Sequence, residues 1–295
     1  MNEPRYEHLV FVGNGMSGVA CVEELLKSGQ VFDITIFGDE PHANYDRTLL
    51  ASVLAGECDV ESITLNDIEW YQEHGIRTRL GIRVEEIDRL GRAVRSSDGD
   101  WTNYDKLILA TGSSPVIPPT DGLDKDGVFF FGTLDDTRRI IDAASEGARA
   151  VVIGGWLAAE VGRGLRKRGC DVRVAEIEAV LGDGRVEAVR FTNGEEAAAD
   201  LVVIAMGFRP NIQLALQAGL ETDCGILVND RLETSDPDIF ALGGCTERDD
   251  LPLLEQARVL AANLSRHPLS TIAPSKRSPL QLATRRHSPA VLPIA

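Results

Sequence analysis

Three glycines near the amino terminus have the spacing of a dinucleotide-binding turn. Gly13, Gly15 and Gly18 follow an apolar run at 8–12 and open an amphipathic run at 16–27. The first glycine permits a tight turn, the second lets the backbone approach a pyrophosphate, and the third lets the helix pack on the strand. The amino terminus of the helix then faces the phosphates. The predicted binding loop comprises Gly13, Asn14, Gly15, Met16, Ser17 and Gly18.

Two adjacent acids follow the next predicted strand, which covers residues 33–37. They are Asp39 and Glu40, in the stretch ITIFGDEPH. In a dinucleotide-binding unit, an acid at this place hydrogen-bonds the ribose hydroxyls of the nucleotide. The sequence leaves open which of the two carboxylates does so. A strand, a glycine turn, a helix and an acid in this order predict a dinucleotide site more specifically than the glycines alone.

A second strand, turn and helix begin at residue 150, in the stretch AVVIGGWLAAEVGRG. Gly154 takes the first glycine position and Ala159 the third, while Glu176 follows the next strand as the ribose acid. The second glycine position is occupied by Trp156. We expect its indole to fill the phosphate site or to push the helix away. Alternatively, the indole points outward and a nucleotide still fits. NAD(P)H binding at this turn is therefore predicted to be impaired.

Alternating strand and helix signals run through the first 115 residues and resume in the second unit. This pattern predicts an α/β protein with two Rossmann-like, three-layer dinucleotide-binding domains, each a parallel sheet covered by helices. After Glu176, only residues 177–184 precede a predicted hairpin whose turn lies at Asn193-Gly194. A parallel crossover needs about a dozen residues or more. The second domain is therefore predicted to be truncated, with an exposed sheet edge.

Three segments follow from this organisation. The predicted first domain covers 1–115 together with 235–264, and the shortened second domain covers 116–234. The last segment, 265–295, holds five prolines, five lysines or arginines and no acidic residue. Proline at this density breaks helices, so a disordered basic tail is the expectation. A basic docking arm and a replaced or out-of-frame terminus are the alternatives.

The composition argues against several kinds of partner and location. The 295 residues carry a formal net charge of −16, whereas nucleic acids and anionic membranes are bound by positively charged surfaces. The sequence has no apolar run of about 18 residues that would span a membrane, and no signal peptide. Its five cysteines are scattered. We therefore expect a reduced, cytoplasmic protein without a metal site.

Four motifs, in order along the chain, give it a family resemblance. They are FVGNGMSGVACVEELL, ITIFGDEPHANYDRTLLASVLAG, YDKLILATGSSPVIPP and TSDPDIFALGGC. With them the sequence, over residues 5–264 and with one gap, resembles the flavoprotein reductases of the pyridine nucleotide-disulfide oxidoreductase type. It is most similar to the FAD/NADH-binding amino-terminal region of assimilatory nitrite reductase large subunits. Rubredoxin reductases and ferredoxin reductases are further relatives.

The resemblance implies FAD at the first turn and NAD(P)H at the second. It implies that Asp39 or Glu40 binds the ribose and that Arg47 lies near the pyrophosphate or the flavin. A surface salt bridge is the alternative for Arg47. Further cofactor-binding residues implied by the resemblance are Val84, Thr111, Gly112, Gly243 and Gly244. Relatives carry an acid where Gly244 stands, so one charge-assisted hydrogen bond to the ribitol is expected to be missing.

The reaction implied by the resemblance is hydride transfer from NADH to FAD, followed by electron transfer to a redox partner protein or domain of the iron–sulfur or siroheme type. The flavin does this chemistry, so no catalytic side chain is predicted. No C-x-x-C pair follows the first turn, which argues against a disulfide reductase. We therefore predict an FAD-dependent oxidoreductase, monomeric or oligomeric. The alternative is an FAD-binding subunit, impaired or non-enzymatic, that no longer binds NADH.

Overall fold

The computed structural model describes residues 6–248 and 250–265. Its helices are α1 (Met16–Lys27), α2 (Leu50–Leu54), α3 (Val60–Ile63), α4 (Ile68–Glu73), α5 (Leu134–Ala143), α6 (Trp156–Lys167), α7 (Gln213–Gln217) and α8 (Leu253–Leu264). Its strands are β1 (His8–Val12), β2 (Asp33–Gly38), β3 (Asn44–Tyr45), β4 (Thr64–Asn66), β5 (Arg77–Leu80), β6 (Val84–Asp88), β7 (Ala93–Ser96), β8 (Trp101–Asn103), β9 (Lys106–Leu109), β10 (Ser113–Pro115), β11 (Val128–Phe130), β12 (Arg149–Gly154), β13 (Asp171–Val174), β14 (Ile177–Leu181), β15 (Ala188–Phe191), β16 (Glu196–Ala198), β17 (Leu201–Ala205), β18 (Phe208–Pro210) and β19 (Ile239–Ala241). The predicted tail beyond residue 265 lies outside the described residues.

The first parallel sheet runs in the order β19-β9-β1-β2-β5. Successive side chains of a strand point to opposite faces of the sheet. On β1, Leu9 and Phe11 pack in one core cluster with α1 and α8, whereas Val10 and Val12 pack on the other face with Val84. The four β1 side chains are at most 7% exposed. The sheet is therefore a middle layer buried on both faces, as expected from its apolar strands.

The second parallel sheet runs in the order β11-β17-β12-β13. Val152 on β12 packs in one cluster with Val161 and Leu165 of α6, which are fully buried. Val151 packs on the opposite face, against the antiparallel sheet β14-β15-β16. Helix α6 therefore begins at Trp156 and still packs closely on the sheet. Trp156 does not displace α6 from the sheet, because the packing of the helix depends on its buried face. Whether the indole keeps the helix away from a phosphate stays a prediction.

The second sheet has no crossover that would continue it beyond β13. Strand β13 ends at Val174 and β14 begins at Ile177, which leaves no room for a helix. Within the described residues β13 pairs with β12 alone, whereas β2 of the first sheet is covered by β5. The amide of Asp171 bonds inward, so the backbone groups of Val172 point to the free edge. There the Arg166 guanidinium donates to the Val172 carbonyl, at 3.0 Å. The predicted free edge is present, and a cationic side chain covers part of it.

The two sheets are joined by a short antiparallel pair, β10 with β18. The strands of each parallel sheet lie inside the domain predicted for them. Ala215, Ile226 and Leu232, which belong to the predicted second domain, nevertheless pack in the core clusters of the first sheet. The domain boundaries therefore stay a prediction, and the chain returns to the first sheet well before residue 235.

Candidate functional site

The first glycine turn has the backbone geometry that its glycines were predicted to provide. Gly13 has φ +123°, and a Cβ placed on it would lie 2.0 Å from the Ala110 carbonyl oxygen. A Cβ on Gly18 would lie 2.9 Å from the Gly13 carbonyl oxygen. By contrast, a Cβ on Gly15 would meet no heavy atom of the described residues within 4 Å. Gly13 and Gly18 are therefore required by the fold, whereas the space in front of Gly15 is open to a ligand.

The amino terminus of α1 offers backbone donors to that space. The helix starts after Gly15, and among the described residues no side chain caps it. Helix α4 is capped by Asp67 and α5 by Thr133, each accepting a bond from a first-turn amide. The first-turn amides of a helix need acceptors, and an anion satisfies them in place of a side chain. A diphosphate fits this terminus, so the residues present are compatible with FAD.

A cleft of about 470 Å³ lies beside the first turn, at the carboxyl ends of β1 and β2. Four of the residues predicted to bind the cofactor line it, namely Gly13, Asp39, Val84 and Thr111. Residues that the sequence did not single out also line it, among them Arg83, Ser114, Arg209, Asn211 and Cys224. Ligands of open α/β sheets bind at this end of the strands. The cleft therefore lies beside the first turn and overlaps the predicted nucleotide site at these four residues.

The two candidate ribose acids have different surroundings. Asp39 lines the cleft and is held there by Arg83, with Nε 3.0 Å from Oδ1 and Nη2 2.5 Å from Oδ2. Glu40 instead accepts from the Tyr45 hydroxyl at 2.7 Å and from the Arg47 guanidinium at 2.5 Å. Glu40 is not among the residues lining the cleft. The geometry favours Asp39 as the ribose acid, and it gives Arg47 the salt bridge that was its alternative role.

Two loops lie beside the first turn, one after β9 and one after β19, and each contains glycines of the predicted site. The Thr111 hydroxyl donates to the Asn211 carbonyl at 2.8 Å, and the Asn211 amide group donates back to the Thr111 carbonyl at 2.8 Å. The Gly112 carbonyl accepts from the Asn211 backbone amide at 3.0 Å. Asn211, in the stretch FRPN, was missed because its partner lies 100 residues away. The loop that carries Thr111 is therefore held by three hydrogen bonds to Asn211.

Gly243 and Gly244 lie against the first turn and the Thr111 loop. Gly243 has φ +79°, and a Cβ on it would lie 2.1 Å from the Ser17 hydroxyl oxygen. A Cβ on Gly244 would lie 3.3 Å from the Ser113 hydroxyl oxygen. The Gly243 amide donates to Oε1 of Gln256 at 2.7 Å. The structure thus brings Gly243 and Gly244 against Ser17 and the Thr111 loop, whereas Glu40 and Arg47 pair with each other and do not line the cleft. Gln256 on α8 is a further residue that the sequence did not indicate.

The second turn has the same first glycine as the first turn, but its helix begins one residue sooner, with Gly155 in the place that Gly15 has before α1. Gly154 has φ +139°, and a Cβ on it would lie 2.2 Å from the Ala205 carbonyl oxygen. Trp156 is 78% exposed, so its indole is not packed into the protein. Ala159 and Glu176 are also exposed. The turn itself is therefore intact, and whether the indole occupies the phosphate position stays a prediction.

One group of possible metal ligands exists among the described residues. Asp223, Cys224 and Glu247 each offer an atom within 4.8 Å of the others, and all three are exposed. Exposed acids often approach one another in this way without an ion. The Glu247 carboxylate already accepts from the Gly225 amide at 3.1 Å. This group gives no reason to add a metal to the site.

A family model described as pyridine nucleotide-disulphide oxidoreductase matches residues 7–181 and 173–263. The two matches overlap near β13 and β14, where the crossover is absent. Across the described residues, no helix has both the length and the apolar content needed to cross a membrane. The family match therefore covers both parallel sheets of the chain.

Curated relatives agree with this match. The chain is 39% identical to the assimilatory nitrate reductase electron transfer subunit of Bacillus subtilis, over 88% of this chain and 39% of that protein. It is 34% identical to the nitrite reductase (NADH) large subunit of Escherichia coli, over 80% of this chain and 33% of that protein. It thus spans about two fifths or less of these relatives. It is 31% identical to rhodocoxin reductase of Rhodococcus erythropolis, over 87% of this chain and 72% of that protein.

Among solved structures, the chain is similar to the covalent putidaredoxin reductase–putidaredoxin complex. The TM-score is 0.81 with 28% identity, over 92% of this chain and 77% of that one. These findings confirm the resemblance, the fold class and the assignment to FAD- and NAD(P)H-dependent oxidoreductases. They give no support to the alternative of a chain that has lost NADH binding. The chain belongs to the pyridine nucleotide-disulphide oxidoreductase family.

Proposed function

We propose that this chain is the FAD- and NADH-binding part of a reductase that delivers electrons to a protein redox partner. The observation that carries the proposal is the pair of strand-end turns. Gly13 and Gly154 both have positive φ, and both lie against the carbonyl of a neighbouring strand. Each turn opens a twelve-residue helix whose first-turn amides lack a side-chain cap among the described residues. Two such termini are suited to two dinucleotides.

At the first turn, the residues of this chain bind and orient the cofactor. The α1 amino terminus and Gly15 receive the pyrophosphate, Asp39 accepts from the ribose hydroxyls, and the Val84 backbone contacts the adenine. Thr111, Gly112, Gly243 and Gly244 form the wall on the flavin side. Without an acid at Gly244, backbone amides contact the ribitol there. When bound, FAD supplies the hydride acceptance and electron release that no side chain of the protein provides.

At the second turn, the acid after β13 favours NADH over NADPH. Glu176 is exposed, and within the described residues it has no ion-pair partner. Arg173 is the nearest cation in sequence, and it is paired with Glu195 at 3.1 Å and stacked on Phe191 at 3.7 Å. A free carboxylate binds the 2′-hydroxyl of NADH, whereas the 2′-phosphate of NADPH needs a free cation. Exposed Trp156 leaves this site usable and lowers its affinity.

The partner and location belong to the same proposal. Relatives of the chain are named as nitrite reductase subunits, and a structural neighbour is a reductase joined to putidaredoxin. We propose an iron–sulfur or siroheme protein or domain as the electron acceptor, in the cytoplasm. The proposal holds for a monomer and for an oligomer. The net charge of −16 suits an acceptor with a basic docking face.

A visible spectrum and an anaerobic titration test the proposal. We expect the purified protein, alone or after addition of FAD, to show flavin absorption that NADH bleaches at lower concentration than NADPH. In the matched variant Glu176→Gln, the concentrations of NADH and NADPH that bleach the flavin should become more similar, and the FAD content should not change. A protein that stays colourless after incubation with FAD would overturn the proposal. A flavoprotein that dithionite reduces and saturating NADH does not would overturn its NADH half.

A further inference from the structure

The side chain of Asn14 is held from two directions. Asn14 is the residue between the two glycines of the first turn. Tyr71 on α4 donates its hydroxyl proton to Oδ1 of Asn14, at 2.8 Å. The Nδ2 group of Asn14 donates to the His42 carbonyl at 3.3 Å. The turn is thus tied to α4 and to the loop after β2 through one amide side chain.

The Tyr71 hydroxyl is suited to a permanent hydrogen bond. The residue is 1% exposed, and burial raises the pKa of its phenol to about 12. The hydroxyl therefore stays protonated as a donor throughout the range in which the protein is handled. Its ring is fixed by an edge-on contact with Trp70, with centroids 5.1 Å apart. Both ends of the bond are consequently held in place by packing.

A buried polar cluster extends this attachment to α1. The Asn44 amide group donates to Oδ1 of Asn66 at 3.2 Å, and the Asn66 amide group donates to the Glu23 carboxylate at 3.0 Å. Asn44 is 2% exposed, and its Oδ1 has no partner among the described residues. The Asn44 backbone also lies against the Tyr71 oxygen, and this hydrogen bond acts to lower the pKa of the phenol against the larger effect of burial. Buried polar groups are costly unless their bonds are made, so such a cluster favours one arrangement.

The hydrogen bonds of Asn14 restrict a turn that its glycines would otherwise leave flexible. Gly13 and Gly15 lack the side chains that would otherwise restrict the backbone, and glycine loses more conformational freedom than any other residue when it is ordered. Between them, Asn14 alone offers a side chain by which the turn is fixed. In the second turn Gly154 is followed directly by Gly155, so no side chain makes such an attachment there. The Tyr71–Asn14 bond therefore restrains the one turn that the proposed function assigns to FAD.

We propose that Tyr71 is a positioning residue for flavin binding. It acts through Asn14 and holds the turn in its ligand-binding conformation before the cofactor arrives, so that binding does not bear the cost of ordering it. This inference rests on the proposed function, because it concerns the FAD turn. Tyr71 contacts the turn from behind and is not among the residues lining the cleft.

The test compares Tyr71→Phe with Tyr104→Phe in FAD titrations of the apoprotein, followed by flavin fluorescence. Tyr71→Phe keeps the ring and removes the hydroxyl, and we expect its FAD dissociation constant to rise about tenfold. Tyr104 is buried as well, at 4% exposed, and precedes β9 at the opposite end of the strands. Its variant should bind FAD as tightly as the unsubstituted protein. Thermal unfolding of each apoprotein is measured alongside.

A double-mutant cycle separates positioning from a general loss of structure. In an Asn14→Ser background, Tyr71→Phe should weaken FAD binding no further, because the bond is already absent. If Tyr71→Phe does not fold, Asn14→Ser alone tests the same bond and should show the same tenfold loss. Unchanged affinity in the single variants would overturn the inference, and so would additive losses in the double variant. Failure of the unsubstituted protein to bind FAD would instead overturn the proposed function.

Discussion

The two halves of the chain end a buried strand in the same way. After β1, Gly13 lies against the Ala110 carbonyl, and after β12, Gly154 lies against the Ala205 carbonyl, with the added Cβ at 2.0 and 2.2 Å. Both glycines have φ beyond +120°. Since a side chain would strike the backbone of the neighbouring strand in either half, this glycine is required by the packing of the sheet. It would be required whether or not a ligand binds.

The opposite ends of the same strands match as well. The His8 amide donates to the Asp105 carboxylate at 2.9 Å, and the Arg149 amide donates to the Asp200 carboxylate at 2.8 Å. In each pair the aspartate amide donates back to the carbonyl of the first residue, at 2.9 and 2.8 Å. The two halves therefore share one backbone plan from the start of the strand to the turn.

The halves differ in the side chains that face a ligand. By spacing from the first glycine, Asn14 and Gly15 of the first turn correspond to Gly155 and Trp156 of the second. Because α6 begins one residue sooner, Gly155 and Trp156 have the places of Gly15 and Met16 at the start of the helix. The first turn is thus restrained and open in front, while the second is unrestrained and carries an indole. The comparison shows that the fold fixes the first glycine of each turn, whereas the next two positions are free to set ligand affinity. Four predictions test this comparison.

The largest effect is expected from Gly13→Ala and Gly154→Ala. Each adds a Cβ against a carbonyl oxygen at a φ that alanine rarely adopts, so each should lower the free energy of unfolding by about 3 kcal/mol or more. Urea unfolding of the apoprotein measures this. The matched control is Gly15→Ala, where the Cβ meets nothing within 4 Å of the described residues, and its loss should stay within about 1 kcal/mol. Equal losses at Gly13 and Gly15 would contradict the division.

The next effect comes from placing the residue of the second turn in the first, as Gly15→Trp. The apoprotein should keep its thermal midpoint, because the position is open, while FAD binding weakens by about 100-fold or more through loss of close phosphate approach. The FAD dissociation constant and the thermal midpoint are measured on the same preparation of apoprotein. Undiminished FAD affinity would show that an indole is compatible with a bound pyrophosphate, and would remove the reason for suspecting Trp156.

A smaller effect is expected from the reverse change, Trp156→Gly. Removing the indole lets a pyrophosphate approach the α6 amino terminus, so the NADH dissociation constant should fall about tenfold. The affinity for FAD should not change. Trp156→Phe keeps an aromatic ring at the same place and should retain the weaker NADH affinity. If glycine and phenylalanine give equal NADH affinity, the side chain at this position does not limit binding.

The smallest effect on stability is expected from the ion pair between Arg149 and Asp200, at the start of the second sheet. The Arg149 side chain and backbone amide lower the pKa of Asp200 from 3.8 to about 2. A carboxyl group whose pKa is depressed in the folded state stabilises the fold above its ordinary pKa, and this contribution disappears as the pH falls toward the folded pKa. Asp200 is 42% exposed, so Asp200→Asn should cost about 0.5–1 kcal/mol near neutral pH.

Unfolding free energies measured across the acid range check this prediction. The curves for the unsubstituted protein and Asp200→Asn should be separate above about pH 4 and converge between about pH 4 and pH 2. A difference that persists at the acid end would mean that the amide loses packing or backbone bonds instead of charge. Arg149→Gln supplies the partner control and should show the same convergence.

Much of the first turn was predictable because its backbone conformation requires glycine at fixed positions. Gly18 is imposed by the Gly13 carbonyl of its own strand–turn–helix unit, whereas Gly13 is imposed by the Ala110 carbonyl of a neighbouring strand. The sequence nevertheless records both glycines as a fixed spacing. The missing crossover was predictable for a similar reason, since chain length alone forbids a helix between Glu176 and the hairpin. The spacing from Gly154 predicted Trp156 at the second glycine position, whereas the start of α6 puts Gly155 there. The assignment of individual site residues to the cofactor stays a prediction.

The tertiary structure decided what depends on residues far apart in the chain. Asp39 and Glu40 are neighbours in sequence, and they are told apart because Arg83 meets one carboxylate and Arg47 the other. Tyr71 contacts the turn from 57 residues away in the chain, so no local sequence pattern predicts this contact. The exposure of Trp156 likewise depends on how α6 packs on its sheet. By itself the sequence determined where the backbone must turn, since the glycines of the turn recur at a fixed spacing along the chain, whereas side-chain partners were settled by the fold that brings distant segments together.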